Sequence, residues 1–479
     1  MAPGSKLIRD IVGRRILRQA MQGDDVAYVQ ARLNSLGYEA GPEDGLYGYL
    51  TADAVSRFQA VHGLRQDGIT GPQVFAALLS DFALSQEMHI VKSRKEALSQ
   101  IAERLDVPLT LLAEANQIAP ESRPYRTQRL VVPVRTVIGF YLCERGLVQP
   151  YFTIERNARN LTFIAPMWTA IDADGYVRGG GPDKVISLAL LHEIGIMPVA
   201  AFRGNGIPDA DAAKKVLASK KARDMAERGI EDLVVKGKSS GVILWLTSVA
   251  PEDWYRALSF VSNLAKRLHK RGRYLFVALP PSFSSEEEEQ ESDMDDLGRR
   301  SLVSFPAPYY EGLGRAADQI ILLTFDEHTM EGPPGPIASI NWVRRAVKHI
   351  ISFVPCWKVI ITAPTYGYDW PQPRRESPPS DLTATRLTHE EISALITVFK
   401  PDVVLDPETG SLGFRYRSCR ITHQVFFEDE RTLILKLDLV HRYHLAGIAL
   451  YYLGPESSLT YSAIRSKFKV RTGMGRESS

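Results

Sequence analysis

A chain of 479 residues that is 44% hydrophobic and 24% charged is too long for one ordinary core and has the composition of a globular protein, so about two to four domains are expected and a disordered or fibrous class is excluded. Its 58 Lys plus Arg against 56 Asp plus Glu leave a net charge of +2, which gives no strong field for a polyanion; no nucleic-acid partner is expected. No run approaches the roughly 18 consecutive apolar residues that span a bilayer, so no membrane partner is expected either.

Residues 1–19 form a basic arm in which Arg9, Arg14, Arg15 and Arg18 interrupt every apolar run. It lacks a secretory h-region, which predicts synthesis and release in the cytoplasm. The three cysteines, Cys143, Cys356 and Cys419, show no paired framework, and each is expected to be a buried small apolar residue. None of the ten histidines sits in a metal-ligand spacing, so neither a metal nor another cofactor is expected.

Residues 20–80 read as a small all-α module with a degenerate repeat. Two turns, Asp44-Gly45-Leu46-Tyr47-Gly48 and Asp67-Gly68-Ile69-Thr70-Gly71, place glycine where positive φ is needed and Asp where it can bond nearby amides. Val26, Val29, Gln30 and Leu33 make one helical stripe, and Thr51 is a candidate cap for a second helix carrying Ala54, Val55 and Phe58. With Gly23, Asp24, Leu36-Gly37-Tyr38 and Phe58-Gln59 in order, the stretch resembles peptidoglycan-binding domain 1. That resemblance implies wall binding, with Asp44, Gly45, Asp67 and Gly68 as candidate positions; the same four residues equally serve to close helix connections.

Residues 88–134 run from an apolar His89-Ile90-Val91 through two helical stretches to Arg129-Leu130-Val131-Val132-Pro133. Together with Ile101-Ala102, Leu111-Leu112 and Asn116, this order resembles a LysM domain, a small α+β unit. The first loop departs from that family: Ser93-Arg94-Lys95 stands where Gly-Asp-Thr is usual.

From residue 137 to 470, apolar strand-like runs alternate with helical periods, the mark of βαβ units and a parallel sheet. Runs at 137–141, 161–165, 197–202, 242–246, 274–279, 320–324, 359–364 and 447–452 suit an α/β (β/α)8 TIM barrel, with residues 471–479 as a tail. Trp254, Ala257, Leu258, Val261, Leu264, Ala265 and Leu268 recur at the spacing of a crossover helix. The acidic tract at 286–296 reads as a solvated loop on the C-terminal face. Asp172-Ala173-Asp174-Gly175 reads as a hairpin turn and not a calcium loop; Gly332-Pro333-Pro334-Gly335-Pro336 reads as a rigid connection.

Three stretches, Leu323-Thr324-Phe325-Asp326-Glu327-His328, Ala363-Pro364-Thr365-Tyr366-Gly367-Tyr368-Asp369-Trp370 and Leu445-Ala446-Gly447-Ile448-Ala449, resemble family 18 glycoside hydrolases of the spore-cortex and spore-germination branch. The resemblance implies catalysis through the substrate's own 2-acetamido group, with a general-acid Glu and an orienting Asp at the end of the fourth strand. Here Trp245 takes the Asp position and Thr247 the Glu position, while Phe325 stands where the sixth strand normally has Tyr. A threonine hydroxyl cannot act as a general acid near neutral pH.

The expectation is a peptidoglycan-binding protein with an inactive barrel. Asp326, Tyr366, Trp168, Trp245 and Tyr451 are candidates to line a trough for peptidoglycan or another N-acetylglucosamine-containing glycan; packing at the barrel mouth is the alternative for each. Two other readings stay open. One is an active glycosidase of cortex lysis or germination with a relocated acid, drawn from Glu252, Asp253, Glu311 or Glu327; the other is a spore-coat scaffold with spore-layer protein partners. Placement in the spore cortex, spore coat or cell wall is implied by the resemblance.

Overall fold

The computed structural model describes residues 15–35, 38–61, 64–71, 74–75, 78, 87–92, 96–116, 118–125, 128–142, 149–204, 207–283, 305–372, 383–443 and 445–472. Cys143, the loop at 93–95 and the acidic tract at 286–296 lie outside these residues.

In the first unit, helices Asp24–Ser35 and Tyr49–Val61 pack through Val26, Val29, Leu33, Ala54, Val55 and Phe58, all fully buried. Thr51 is not a cap. The helix already begins at Tyr49, and the buried Thr51 hydroxyl donates to the Ala40 carbonyl at 3.0 Å. Single bridges, Leu17 with Thr70 and Gln22 with Leu46, hold the preceding chain against both Asp-Gly turns.

The second unit has the order strand, helix, helix, strand. Glu87–Ile90 pairs antiparallel with Arg129–Val132, and helices Leu98–Leu105 and Leu109–Ala115 lie between them in sequence. Leu98, Ile101, Ala102, Leu111 and Leu112 are buried, the stripe that helical spacing requires.

All eight apolar runs become barrel strands: Val134–Tyr141, Phe163–Pro166, a third in two pieces (Gly195–Ile196 and Val199–Gly204), Gly241–Trp245, Tyr274–Leu279, Gln319–Leu322, Val359–Pro364 and Gly447–Tyr451. Each is parallel to its neighbours. The interrupted third strand closes the ring. Its first piece pairs with the second strand and its second piece with the fourth, while the carbonyls of Ile196 and Pro198 accept from Ser240 and Ile243 at 2.8 and 3.0 Å.

Strands covered on both faces must be apolar throughout, which is why these runs were continuous. On the fourth strand Ile243 and Trp245 join the interior cluster with Phe140, Phe163 and Phe276. Val242, Leu244 and Leu246 join the outer layer under the helices. There helix Trp254–Lys270 buries Ala257, Phe260, Val261, Leu264, Ala265 and Leu268, each large side chain stabilising by roughly 1.5–3 kcal/mol.

Between the seventh and eighth strands lies an element that the eight-run pattern does not anticipate. Thr385–Leu387, Gly367–Gln372, Ile421–Phe427, Ser411–Ser418 and Val404–Asp406 form an antiparallel sheet in that spatial order, accompanied by helix His389–Phe399. It has its own small core of Ile392, Leu412, Phe414, Val425 and Phe427. This insertion also corrects the expectation for the cysteines. Cys356 is buried, but Cys419 is exposed at the tip of the insertion's long hairpin, where it and Arg420 take φ of 49° and 69°.

The hairpin expected at residues 172–175 is present. Thr169–Ile171 pairs antiparallel with Val177–Gly179, and Asp172 Oδ1 accepts from the amides of Asp174 and Tyr176.

Candidate functional site

The fourth strand delivers Trp245 to the C-terminal mouth of the barrel, on the same inner face as Ile243. Two residues further, Thr247 lies in the turn just beyond the strand end, where it is exposed. The indole is only 8% exposed. It packs edge-on against Phe140 at 5.7 Å between centroids and lies 6.3 and 6.5 Å from the rings of Tyr451 and Phe325. Phe325 and Tyr451 stack face to face at 3.8 Å with 9° between planes. Trp245, the residue that the resemblance sets at the orienting-carboxylate position, thus belongs to a four-ring assembly with Phe140, Phe325 and Tyr451.

Next to it, Asp326 follows the sixth strand with φ of 55°, a left-handed conformation that Asp tolerates better than most residues and that recurs at functional loops. Its Oδ1 accepts from the hydroxyls of Tyr366 at 2.5 Å and Tyr368 at 2.8 Å. Burial, followed by the Asp326 charge, pushes both phenols above their ordinary pKa, so both stay protonated donors. Oδ2 makes no hydrogen bond among the described residues.

Tyr366 begins a period-two series. Tyr366, Tyr368 and Trp370 all face the barrel cluster, whereas Asp369, on the other face, accepts from Tyr416 at 2.6 Å and lies 3.0 Å from His423 Nδ1. Arg386, paired in register with Tyr368, lays its guanidinium 5.0 Å from the Tyr366 centroid and 5.7 Å from those of Tyr368 and Tyr452. Tyr368, Arg386, Tyr452 and Phe140 were not singled out in the sequence. Alternation within Tyr366-Gly367-Tyr368-Asp369-Trp370 was the available signal for Tyr368; a lone arginine in a polar stretch gave none.

Trp168 is placed apart from these rings. It is half-buried in the outer layer, edge-on to Tyr141 at 6.5 Å, and a Cβ on Gly181 would lie 1.9 Å from its ring. The four other acids have local employment or face solvent. Both Glu327 oxygens bind Ser339, at its amide (2.6 Å) and its hydroxyl (3.0 Å), the residue that caps helix Ile340–Ile351. Asp253 pairs with Arg256 at 2.6 Å, Glu311 lies 3.7 Å from Arg315, and Glu252 is exposed. Among the described residues no three His, Cys, Asp or Glu side chains converge as metal ligands, and no helix is long and apolar enough to cross a membrane.

In the first unit the two Asp-Gly turns have the same internal wiring. Gln30 Nε2 lies within 3.2 Å of Asp44 Oδ1, the Leu46 carbonyl and Thr51 Oγ1, while its Oε1 accepts from Gly45 N. Gln59 repeats this with Asp67 Oδ1, the Ile69 carbonyl and the amides of Asp67 and Gly68. Gly45 and Gly68 adopt φ of 75° and 65°. The Leu46 amide and then Gln30 hold Asp44 below the usual carboxylate range; Gln59 does the same for Asp67. Each buried glutamine therefore pins a turn. Replacing Gln30 by Ala should destabilise this unit by about 2–3 kcal/mol, because the turn amide of Gly45 and the neighbouring carbonyl lose buried partners; its transition in a denaturation curve of the full chain measures the loss.

The chain is similar to several known proteins. Residues 22–78 match the family model described as "Putative peptidoglycan binding domain". Over 327 residues, 68% of this chain and 90% of the relative, the sequence is 27% identical to the "Uncharacterized glycosylase YvbX" of Bacillus subtilis (strain 168). The fold is similar to that of the spore cortex-lytic enzyme SleL of Bacillus cereus, with a TM-score of 0.63 at 19% identity over 96% of this chain and 99% of that one. It is also similar to a chitinase from Chromobacterium violaceum ATCC 12472, with a TM-score of 0.61 at 26% identity over 71% of this chain and 100% of that one.

Proposed function

From a peptidoglycan-binding domain joined to a barrel of the family 18 glycosidase type, we propose that this cell-wall glycosidase-like protein holds peptidoglycan without cleaving it. The observation that carries the reading is the ring assembly around Trp245. Acetamide-assisted cleavage needs one carboxyl to protonate the leaving oxygen and another to orient the acetamide. Thr247 supplies no acid, the Trp245 indole supplies no acceptor, and Phe325 offers no hydroxyl. Loss of the general acid alone costs about a hundred- to ten-thousand-fold.

What persists at the mouth suits binding. Asp326 keeps one oxygen for a sugar hydroxyl, and the exposed edges of the aromatic assembly offer faces for sugar rings. The second unit, read as LysM-like, adds a further weak glycan site. Weak sites in one chain gain from each other when all can engage the same strand. On this reading the protein acts at the cell wall or spore cortex, with peptidoglycan as its partner.

Sedimentation with purified peptidoglycan tests the proposal. The full chain should pellet with the wall material, and no muropeptides should appear in the supernatant by mass spectrometry. Failure to sediment overturns the binding function; muropeptide release by the native chain overturns the loss of catalysis.

A further inference from the structure

We propose that Arg386 makes the barrel mouth selective for a glycan bearing a free carboxylate, the chemistry of N-acetylmuramic acid whose lactyl group carries no peptide. This rests on the glycan-binding reading of the cleft.

Arg386 sits on the edge strand Thr385–Leu387 of the insertion, opposite Tyr368. The preceding Ala384 amide donates to the Met330 carbonyl at 2.9 Å, which ties that edge to the loop following the sixth barrel strand. The ring faces of Tyr366, Tyr368 and Tyr452 hold the cation. Ring faces satisfy charge from above and below the guanidinium plane, but they supply no lone pairs in that plane, where the N–H groups point. The sole in-plane partner among the described residues is the Tyr368 hydroxyl, at a long 3.4 Å from Nη2. Nε is buried without an acceptor.

Asp326 does not fill this need. Its Oδ1 is taken by the two phenols, and no ion pair joins it to Arg386 among the described residues. Nε is out of a ligand's reach, but Nη1 makes no hydrogen bond among the described residues and Nη2 only the long one, so the mouth contains a ring-flanked cation with terminal donors to spare. A carboxylate is the planar acceptor that matches a guanidinium fork, and a charge-assisted bond is roughly twice as strong as one to a neutral hydroxyl. Peptidoglycan exposes such a group wherever an amide cleavage has removed the stem peptide from its lactyl arm. The preferred ligand is then the product of an amidase-type reaction.

Isothermal titration of the full chain with three glycans tests this: peptide-free tetrasaccharide from peptidoglycan, the same sugar with its carboxyls converted to amides, and chitotetraose. The native chain should bind the first about tenfold or more tightly than the other two. Arg386→Met should abolish that preference, the affinity for the acidic sugar falling by about tenfold more than that for the two neutral sugars. Arg386→Lys, which keeps the charge and loses the fork, should retain part of it. Equal binding of the acid and amide forms by the native chain overturns the inference, as does a preference that survives in Arg386→Met. If Arg386→Met melts early, Arg386→Lys decides: loss confined to the acidic sugar supports the assignment, and equal loss for all three sugars shows a merely structural role. Binding of none of the three by the native chain removes the glycan-cleft reading itself, a result distinct from binding without discrimination.

Discussion

The double variant Trp245→Asp, Thr247→Glu should release muropeptides from peptidoglycan at least about a hundredfold faster than the native background. The backbone is already suited to this. Trp245 lies on the inner face of the fourth strand beside Ile243, and Thr247 follows in the exposed turn two residues on, the spacing of the family's paired orienting carboxylate and acid. The cost falls on folding. Exchanging a packed indole for Asp removes contacts with Phe140, Tyr451 and Phe325 and opens a cavity, at roughly 3–5 kcal/mol. A thermal melt must accompany the assay. Adding Phe325→Tyr supplies a hydroxyl at the third altered position and should raise the rate further. A folded but inert triple variant would mean that activity was lost at more than these three positions.

The second large effect is expected at the floor of the insertion. Lys436 and Glu428 are 1% and 4% exposed and form a buried ion pair at 2.6 Å, with Thr432 donating to the same carboxylate oxygen at 2.6 Å. The Glu428 amide reaches the Tyr366 carbonyl at 3.2 Å, so the pair also anchors the strand that enters the ring assembly. Lys436→Met should destabilise the chain by about 3–5 kcal/mol, because it strands a carboxyl without its cation, whereas Glu428→Leu with Lys436→Met should recover most of the loss. Chemical denaturation measures both.

The pH dependence of Lys436→Met has a definite sign. Burial already holds Glu428 above the usual carboxylate pKa despite the opposing pull of Lys436, and removing the lysine raises it further. A folded-state pKa above the unfolded one favours folding with the proton bound. Stability is then greatest below the unfolded pKa and falls as pH rises through the folded one. The variant should therefore be markedly less stable at pH 7 than at pH 5.

The barrel was legible in the sequence because its strands are buried on both faces and so read as unbroken apolar runs. All eight appear within a few residues of their expected bounds. The insertion was not legible for the opposite reason. Its strands Ser411–Ser418 and Ile421–Phe427 bury mainly one face, with Arg415, Arg417, Thr422 and Gln424 interleaved, so they lack that contrast and were absorbed into the barrel span. At the site, Trp245, Phe325, Asp326 and Tyr366 were named from motif position and Tyr451 as an aromatic residue able to line a trough, and the five do converge. Trp168 does not join them, because it sits in the link between Phe163–Pro166 and Thr169–Ile171 and packs against the outer-layer cluster. Arg386 and Tyr452 reach the rings only through pairing between segments distant in sequence. The wiring of Gln30 to Asp44 and Gln59 to Asp67 likewise spans 14 and 8 residues, separations at which local patterning is silent.

The ring assembly at the mouth has a thermodynamic consequence for the whole barrel. Hydrolase clefts carry electrostatic frustration: acids are crowded together, kept from bulk water and held in strained geometries because turnover demands it, and the fold is less stable for it. Here the ends of the fourth and sixth strands carry Trp245 and Phe325 in ring contacts of the kind that fill the barrel interior. On the binding reading proposed above, the mouth adds to the cohesion of the scaffold, and a protein that holds a wall layer needs durability more than speed.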